Sequence, residues 1–349
     1  MSGVPIRSAL WPRVLETGLL VGPSLKAILK VLSDGRFHSG EALARQLGIS
    51  RAAIWKQMRR LAAYDLAVHA VNGKGYRLEQ ALEWLDGVWI ATELGKSDPT
   101  RPAQLDILLE TDSTNELLAR RLLAQGSIHR HVCLAEFQSA GRGRAGRRWV
   151  APLASAICLS LGWRVCSPVG SIMGLSLAVA VTLVRLLKGE FGVQDIGVKW
   201  PNDILCGGAK IGGILIEVKG EVGGPYHTVI GVGLNVQGGT RLAARIGQPW
   251  IDLHRAAPAK HSRNVVAIAL ISAIFQALPE YEAEGFAAFR NEWRGYDLLR
   301  NKAVRLLLPT GDVVMGHARD VDADGALLLS VDGYLQRYHC GEVSLRLAG

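Results

Sequence analysis

Four arginines fall within seven positions of one stretch, Gln138-Ser-Ala-Gly-Arg-Gly-Arg-Ala-Gly-Arg-Arg-Trp149, where Gly141, Gly143 and Gly146 separate Arg142, Arg144, Arg147 and Arg148. Guanidinium groups so crowded repel one another, and their planar forks match a phosphate or carboxylate held bidentately. Glycine lets the backbone take positive φ and approach a ligand closely, so the segment is expected as a mobile loop that an anion orders. A solvated basic loop is the plain alternative. A second signal, Val198-Lys-Trp-Pro-Asn-Asp203, delivers Lys199 from an apolar run beside Trp200 and Pro201. An ammonium partly stripped of water there can offset charge building on a carboxylate or phosphoryl oxygen. Asn202 and Asp203 can orient it or contribute to a metal site. A lone strand-end lysine is ordinarily paired with a nearby acid; the arginine loop weakens that reading here.

Two further stretches could hold a polar, flat ligand. Asp112-Ser-Thr-Asn115 stands between a strand candidate, Leu105–Glu110, and a helix carrying Leu117, Leu118 and Leu122. Hydroxyl and amide groups at such a turn ordinarily cap the helix, but they can also hydrogen-bond a ligand ring. Lys210–Glu217 and Val229–Val236 read as paired strands whose Gly212, Gly213, Gly231 and Gly233 leave backbone bare for a ligand to lie on. There is no Gx4GK[ST] loop, no GxGxxG in a strand-to-helix setting, no HExxH or GxSxG, and no Cys/His ligand spacing. Metal ligands therefore stay unassigned.

These residues need a scaffold, and the 349 residues, 49% apolar with 40 glycines, are enough for an α+β protein of several domains. Leu25, Ile28, Leu29 and Leu32 recur at helical spacing, Ser39 can cap a second helix that Gly48 ends, and Ser50 can cap a third from Arg51 to about Ala63. Ile54, Met58 and Leu61 share one face of the third helix; Ala52, Lys56, Arg59 and Arg60 lie opposite, with Trp55 at the edge. Asn72-Gly-Lys-Gly75 between short strands reads as a hairpin, so the unit is a winged helix-turn-helix with Lys74 at the wing tip. Residues 1–80 hold 12 Lys and Arg against 5 Asp and Glu, a net +7 of the chain's +9, which points to a polyanion. Trihelical units that dock proteins are the alternative. A partly helical linker (Leu82–Leu94), a polar loop (Lys96–Pro102), an apolar helix (Ser171–Leu187) and helices over Arg263–Leu278 and Glu282–Trp293 follow. Short strands over Val304–Leu308, Val313–Ala318, Ala326–Ser330 and Leu335–His339 suggest a small β-barrel. Five cysteines without a CxxC pair suit free thiols in a reducing cytoplasm, and no apolar run of membrane-spanning length or secretory signal is evident.

The segment Phe37–Tyr76, with HSGEALARQLGISRAAIWKQ followed by NGKGY, closely resembles the DNA-binding domain of the bifunctional biotin ligase and biotin-operon repressor. Gly141–Trp149, Lys199–Asp203, Lys210–Ile214 and Gly231–Asn235, with Asp112–Asn115 and Gln138, resemble the motifs of biotin protein ligases in their order. The resemblance spans roughly residues 25–349; Ala145, where a basic residue is common, and Trp55, where a small polar residue is expected, depart from it. It implies an unassigned extension over 1–23, a winged helix-turn-helix over 24–80, a linker over 81–104, a class II aminoacyl-tRNA-synthetase-like ligase core over 105–298 and an SH3-like barrel over 299–349. It implies that Ser113, Thr114, Asn115 and Gln138 meet the ureido ring of biotin beside Gly212, Gly213, Gly231 and Gly233. Arg142, Gly143 and Arg144 would close over the biotin carboxylate and nucleotide phosphates. Arg147, Trp149, Asn202 and Asn235 would join Arg144 at ATP, with Mg²⁺ offsetting phosphate charge. Lys199 would stabilise the reacting centre. The partners implied are a biotin carboxyl carrier domain, a second copy of the chain, and operator DNA contacted by Ser50, Arg51, Ala52, Trp55, Lys56, Arg59 and Lys74. A lipoate-type ligase and a biotin-sensing transcription factor without ligase activity are the rival readings.

Overall fold

The structure, a computed structural model, describes residues 22–97, 100–165, 172–219, 226–238, 246–339 and 344–347. The expected N-terminal extension up to residue 21, Asp98 and Pro99 of the polar loop, Cys166 and Cys340 lie outside them. The chain opens with α1 (Pro23–Leu32), α2 (Gly40–Leu47) and α3 (Arg51–Arg60). Leu25, Ile28, Leu29 and Leu32 of α1 are buried against Leu43, Ile54 and Met58. Ser39 accepts from the Ala42 amide at 3.0 Å and Ser50 from the Ala53 amide at 3.1 Å, so both expected caps form. The third helix ends earlier than expected, passing into a 3₁₀ turn over Leu61–Tyr64. The wing is β1 (Val68–Val71) paired antiparallel with β2 (Gly75–Leu78). A Cβ on Gly75 would lie 2.1 Å from the His38 carbonyl oxygen, so only glycine lets His38 bridge to Tyr76 and anchor the wing.

The central sheet runs β3 (Gln104–Leu108), β4 (His131–Ala135), β5 (Ala156–Val165), β9 (Tyr226–Asn235), β8 (Ala209–Lys219), β7 (Asp203–Cys206), β6 (Ile196–Lys199). Only β3 and β4 are parallel; every other neighbouring pair is antiparallel. Alternation along β5 assigns the two faces. Ile157, Leu159, Leu161 and Trp163 join the main core, which α6 (Ile172–Gly189) and α8 (Arg263–Glu284) cover. Ser160 and Gly162 turn the other way, toward α5 (Thr114–Gln125) and the loop before β4.

The expected linker is part of this core. Its helix, α4 (Gly87–Leu94), buries Ile90, Ala91 and Leu94 in the main cluster. Glu83 accepts from the Arg263 amide at 2.8 Å, and Arg263, itself buried, pairs with Glu136 at 2.8 Å. That buried pair marks α8 as a core helix, although its length and hydropathy alone would suit a membrane span. α8 runs through Pro279 instead of ending near Leu278; Gly285, at φ +66, turns the chain into α9 (Ala287–Tyr296). The short helix α7 (Leu253–Ala256) is capped by Asp252. The C-terminal unit is a five-stranded antiparallel sheet ordered β13 (Tyr334–Tyr338), β12 (Leu327–Val331), β11 (Val313–Val321), β10 (Ala303–Leu307), β14 (Ser344–Leu347). Its Val304, Leu306, Val321 and Leu329 belong to the same buried cluster as the central sheet. The last strand, β14, has no counterpart among the expected elements.

Candidate active site and nucleic-acid surface

The α5 side of the sheet holds a cavity of about 780 Å³. The structure brings Ser113, Thr114, Asn115, Gln138, Arg142, Gly143, Arg144, Arg147, Trp149, Lys199, Asn202, Gly213, Gly231, Gly233 and Asn235 to its wall. Gly212 does not line it. Asp203, Lys210, Trp250 and Arg346 do, although the sequence signals left Lys210, Trp250 and Arg346 without roles.

Asp112 sets the turn that opens α5. It accepts from the Ser113 amide at 2.7 Å and from Arg120 at 2.7 and 3.0 Å, and that guanidinium holds its carboxyl down at about 2. Ser113 occupies the N-cap position yet makes no side-chain cap bond, so capping does not account for its hydroxyl. The Thr114 amide donates to Gln138 Oε1 at 2.8 Å, tying this turn to the entry of the arginine stretch. Asn115 is committed to the protein. Its amide donates to the Leu215 carbonyl at 3.2 Å and Glu217 at 2.9 Å, and its Oδ1 accepts from Ser160 at 2.6 Å. Asn115 thus lines the cavity with its side chain already bonded to the protein on both N–H groups and on the oxygen.

Two of the glycines are also close-packed by side chains. A Cβ on Gly231 would meet Asn115 Oδ1 at 2.3 Å, and one on Gly233 would meet the Trp149 indole at 2.5 Å. Bare backbone at these two positions lets Asn115 and Trp149 pack against the strands that line the cavity.

The arginine stretch is a tight hairpin. Arg142 bridges Arg148, Gly143 N donates to Arg147 O at 2.7 Å, and Arg147 N to Arg144 O at 3.1 Å. Ala145 (φ +50) and Gly146 (φ +69) form its tip, both left-handed as such a turn requires. Arg142 has partners that repulsion between arginines did not suggest: Glu116 at 2.8 Å and Glu217 at 3.1 Å. Lys199 ends β6, paired with Asp203 in the ladder, and its ammonium makes no hydrogen bond or ion pair among the described residues. Burial pulls its ammonium below the usual lysine value; Lys210, Arg147 and Arg346 push the same way, against Asp203. Lys210 instead pairs with Asp203 and lies 5.9 Å from the centre of the Trp149 ring. Asn202 donates to the Ile214 carbonyl at 2.7 Å and Asn235 to that of Ile251 at 3.1 Å, which leaves the Asn235 Oδ1 buried without a partner. The Trp200 indole, inside the lysine motif, donates to Gly325 O of the C-terminal sheet at 3.1 Å.

On the N-terminal unit, Ser50, Arg51, Ala52, Trp55, Lys56 and Arg59 are exposed on or beside α3, and Lys74 is exposed on the wing. Trp55 is 55% exposed, with the Arg59 guanidinium 4.9 Å from its ring centre. The unit is docked, not tethered. Tyr64 stacks edge-on against Phe137 with ring centres 5.0 Å apart, donates to Glu110 at 3.1 Å, and accepts at its carbonyl from Leu153 N at 3.1 Å.

Comparison with known proteins fits this layout segment by segment. The biotin/lipoate A/B protein ligase family model matches residues 109–235, an HTH domain model matches 24–77, and the biotin protein ligase C-terminal domain model matches 301–346. The chain is 36% identical over 323 residues to the bifunctional ligase/repressor BirA of Escherichia coli, spanning 92% of this chain and 97% of that one. It is 36% identical over 243 residues to the biotin--[acetyl-CoA-carboxylase] ligase of Mycobacterium tuberculosis, 69% of this chain and 88% of that protein. A biotin protein ligase from Aquifex aeolicus in complex with biotin and ATP shares the fold, with a TM-score of 0.60 at 22% identity over 70% of this chain and all of that one. An N-terminal helix-turn-helix, a mixed-sheet ligase core and an antiparallel C-terminal sheet, matched over nearly the full length of such relatives, make this chain a member of the biotin protein ligase family in its bifunctional ligase/repressor form.

Proposed function

We propose that the cavity joins biotin to ATP and hands the product to a lysine of a biotin carboxyl carrier domain. The observation that carries the reading is convergence: the 112–115 turn, Gln138, the arginine hairpin and two lysines line one cavity. Ser113, Thr114 and Gln138 face the ureido end of biotin. Arg142 and Arg144 answer its carboxylate and the nucleotide phosphates, while Arg147 and Trp149 flank the nucleotide. A biotin carboxylate oxygen attacks the α-phosphorus of ATP, the bond to the β-phosphate breaks, and pyrophosphate leaves. Lys199, unpaired and desolvated, and Lys210, held by Asp203, offset the charge of the pentavalent centre. The neutral ε-amine of the carrier lysine then attacks the carbonyl carbon of biotinyl-5′-AMP; an amide forms, AMP leaves and a proton is lost. The adenylate is open to hydrolysis, so a hairpin that covers it preserves the intermediate.

Mg²⁺ fits as an ion carried by the triphosphate. No cluster of three His, Cys, Asp or Glu able to hold a metal occurs among the described residues, and Asp203 is the carboxylate on the cavity wall. A Mg²⁺ bound through phosphates needs only one or two such groups, and it would neutralise phosphate charge there. The basic α3 face and the wing support operator DNA as the second partner, bound by two copies of the chain. A reducing cytoplasm suits the buried free thiols of Cys133, Cys158 and Cys206.

The deciding experiment incubates the full chain with ATP, Mg²⁺, labelled biotin and a carrier domain, alongside a parallel reaction with lipoate. Label on the carrier lysine from biotin alone is expected; an unlabelled carrier, or equal use of lipoate, overturns the reading.

A further inference from the structure

Arg142 is held in place by the protein before any ligand is considered, and one of its two holders has a second hand. Glu217, on β8, forms an ion pair with Arg142 Nη2 through Oε1 at 3.1 Å and accepts from Asn115 Nδ2 through Oε2 at 2.9 Å. Its side chain is 17% exposed, whereas Glu116, the other partner of Arg142, is 42% exposed. An exposed ion pair contributes little, but a mostly buried carboxylate shared by two donors fixes both of them. The two groups belong to different elements of the site. Asn115 is the third residue of the turn that carries Ser113 and Thr114, and it is wedged against Gly231 with its Oδ1 bound by Ser160. Arg142 is the first arginine of the hairpin, at the base of the tip formed by Ala145 and Gly146.

We infer that Glu217 is a positioning residue which latches the arginine hairpin to the ureido-side turn, so that the hairpin stays closed over the adenylate once that turn is filled. The inference rests on the proposed closing role of the hairpin. Asn115 is held by Leu215, Glu217 and Ser160, Glu217 is tied to it in turn, and a carboxylate so placed draws the Arg142 fork toward one position. Glu116, on the exposed flank of α5, adds a second contact without that rigid backing.

Glu217→Gln separates the two hands. Its amide oxygen still accepts from Asn115, but the charge that holds Arg142 is gone. With the full chain, biotin and ATP, this variant should lose biotinyl-5′-AMP to solvent about five- to tenfold faster, while the KM for biotin moves by less than about threefold. Glu217→Ala removes both hands and should raise the KM as well as the leak; should it fail to fold, the isosteric Gln variant carries the test alone. Arg144→Ala serves as the control. If it leaks and Glu217→Gln retains adenylate as the parent does, the latch is wrong and the hairpin's role stands. A variant whose KM and leak rise in equal measure with Gln has a general structural defect and also overturns the latch. If neither Arg144→Ala nor Glu217→Gln leaks, the covering role of the hairpin falls too.

Discussion

The residues with most at stake are the two lysines on either side of Asp203. Lys199 is half-buried and its ammonium has no ion-pair partner among the described residues; Lys210 is paired and adjacent to Trp149. A fixed cation aimed at developing charge typically contributes about a hundredfold or more in rate. Lys199→Ala should therefore cut ATP–pyrophosphate exchange by that order while biotin binding changes less. Lys210→Ala should do at least as much harm, because it also leaves Asp203 as an unneutralised negative charge facing the phosphates. Exchange kinetics with titrated biotin separate rate from affinity; near-parental exchange in Lys199→Ala would remove it from the chemistry. Beneath the Lys199 strand lies Asp297, which bridges to Val198 and whose carboxyl burial pushes up to about 6. Its folded value lies above the ordinary 3.8, so the folded state favours the protonated acid. Stability is then lost as pH rises from about 4 to about 6 and stays lost above that. Asp297→Asn keeps an acceptor for the Leu299 amide and should gain about 1–3 kcal/mol at pH 8, shrinking to roughly half that at pH 5. Thermal melts at the two pH values check this, and an equal gain at both would refute it. At this scale much was legible from the chain alone: arginines among glycines, and a lysine thrown off a strand by Trp-Pro. The partners of Asn115 were not, because Leu215 and Glu217 lie about a hundred residues away in the chain, and neither was the close packing of Asn115 on Gly231.

At the scale of elements the winged helix and the site share their supports. Glu110 leads into the 112–115 turn, Phe137 precedes Gln138, and Leu153 follows the hairpin; all three touch Tyr64. Burial, with the Glu110 charge adding to it, lifts the Tyr64 hydroxyl to about 12, and burial raises the Glu110 carboxyl as well. Tyr64→Phe keeps the ring against Phe137 but strands a buried carboxylate, which should cost about 1–3 kcal/mol. The loss should appear as faster hydrogen exchange at β1, β2 and the 3₁₀ turn, with α6 unaffected; uniform change across the chain would mean no local joint exists. Helices α1 to α3 and their caps could be read from spacing because each depends on residues within one or two turns. The place of α4 could not. Its apolar face, Ile90, Ala91 and Leu94, finds its place in the core through a Glu83–Arg263–Glu136 network closed by residues from three distant segments. β14 escaped because its alternation, Ser344-Leu-Arg-Leu347, runs for four residues only, yet it brings Arg346 to the cavity.

For the whole molecule the uneven charge matters most. The +7 on residues 1–80 attracts phosphate, but the remaining 269 residues carry only +2, and charge alone gives weak, salt-sensitive binding at physiological ionic strength. One winged helix reads few base pairs. Two copies on a two-fold axis read two half-sites, and the second contact becomes effectively intramolecular. Because the head is docked on the ligase core and not hung from a free linker, the spacing of two heads is set by how two cores meet. We therefore expect adenylate to promote dimerisation, through the hairpin whose closure completes the covered site, and operator binding to follow. Linkage then demands reciprocity: operator DNA must tighten adenylate retention by the factor through which adenylate tightens DNA binding. Sedimentation with and without biotin and ATP, beside titration of a palindromic site over a range of salt, measures both halves. Lys56→Ala, on the exposed face of α3, should weaken DNA binding and flatten its salt dependence without altering carrier biotinylation. A chain that remains monomeric with adenylate bound, yet occupies its operator fully, would show that the head reads DNA alone and that the ligase core exerts no control over it.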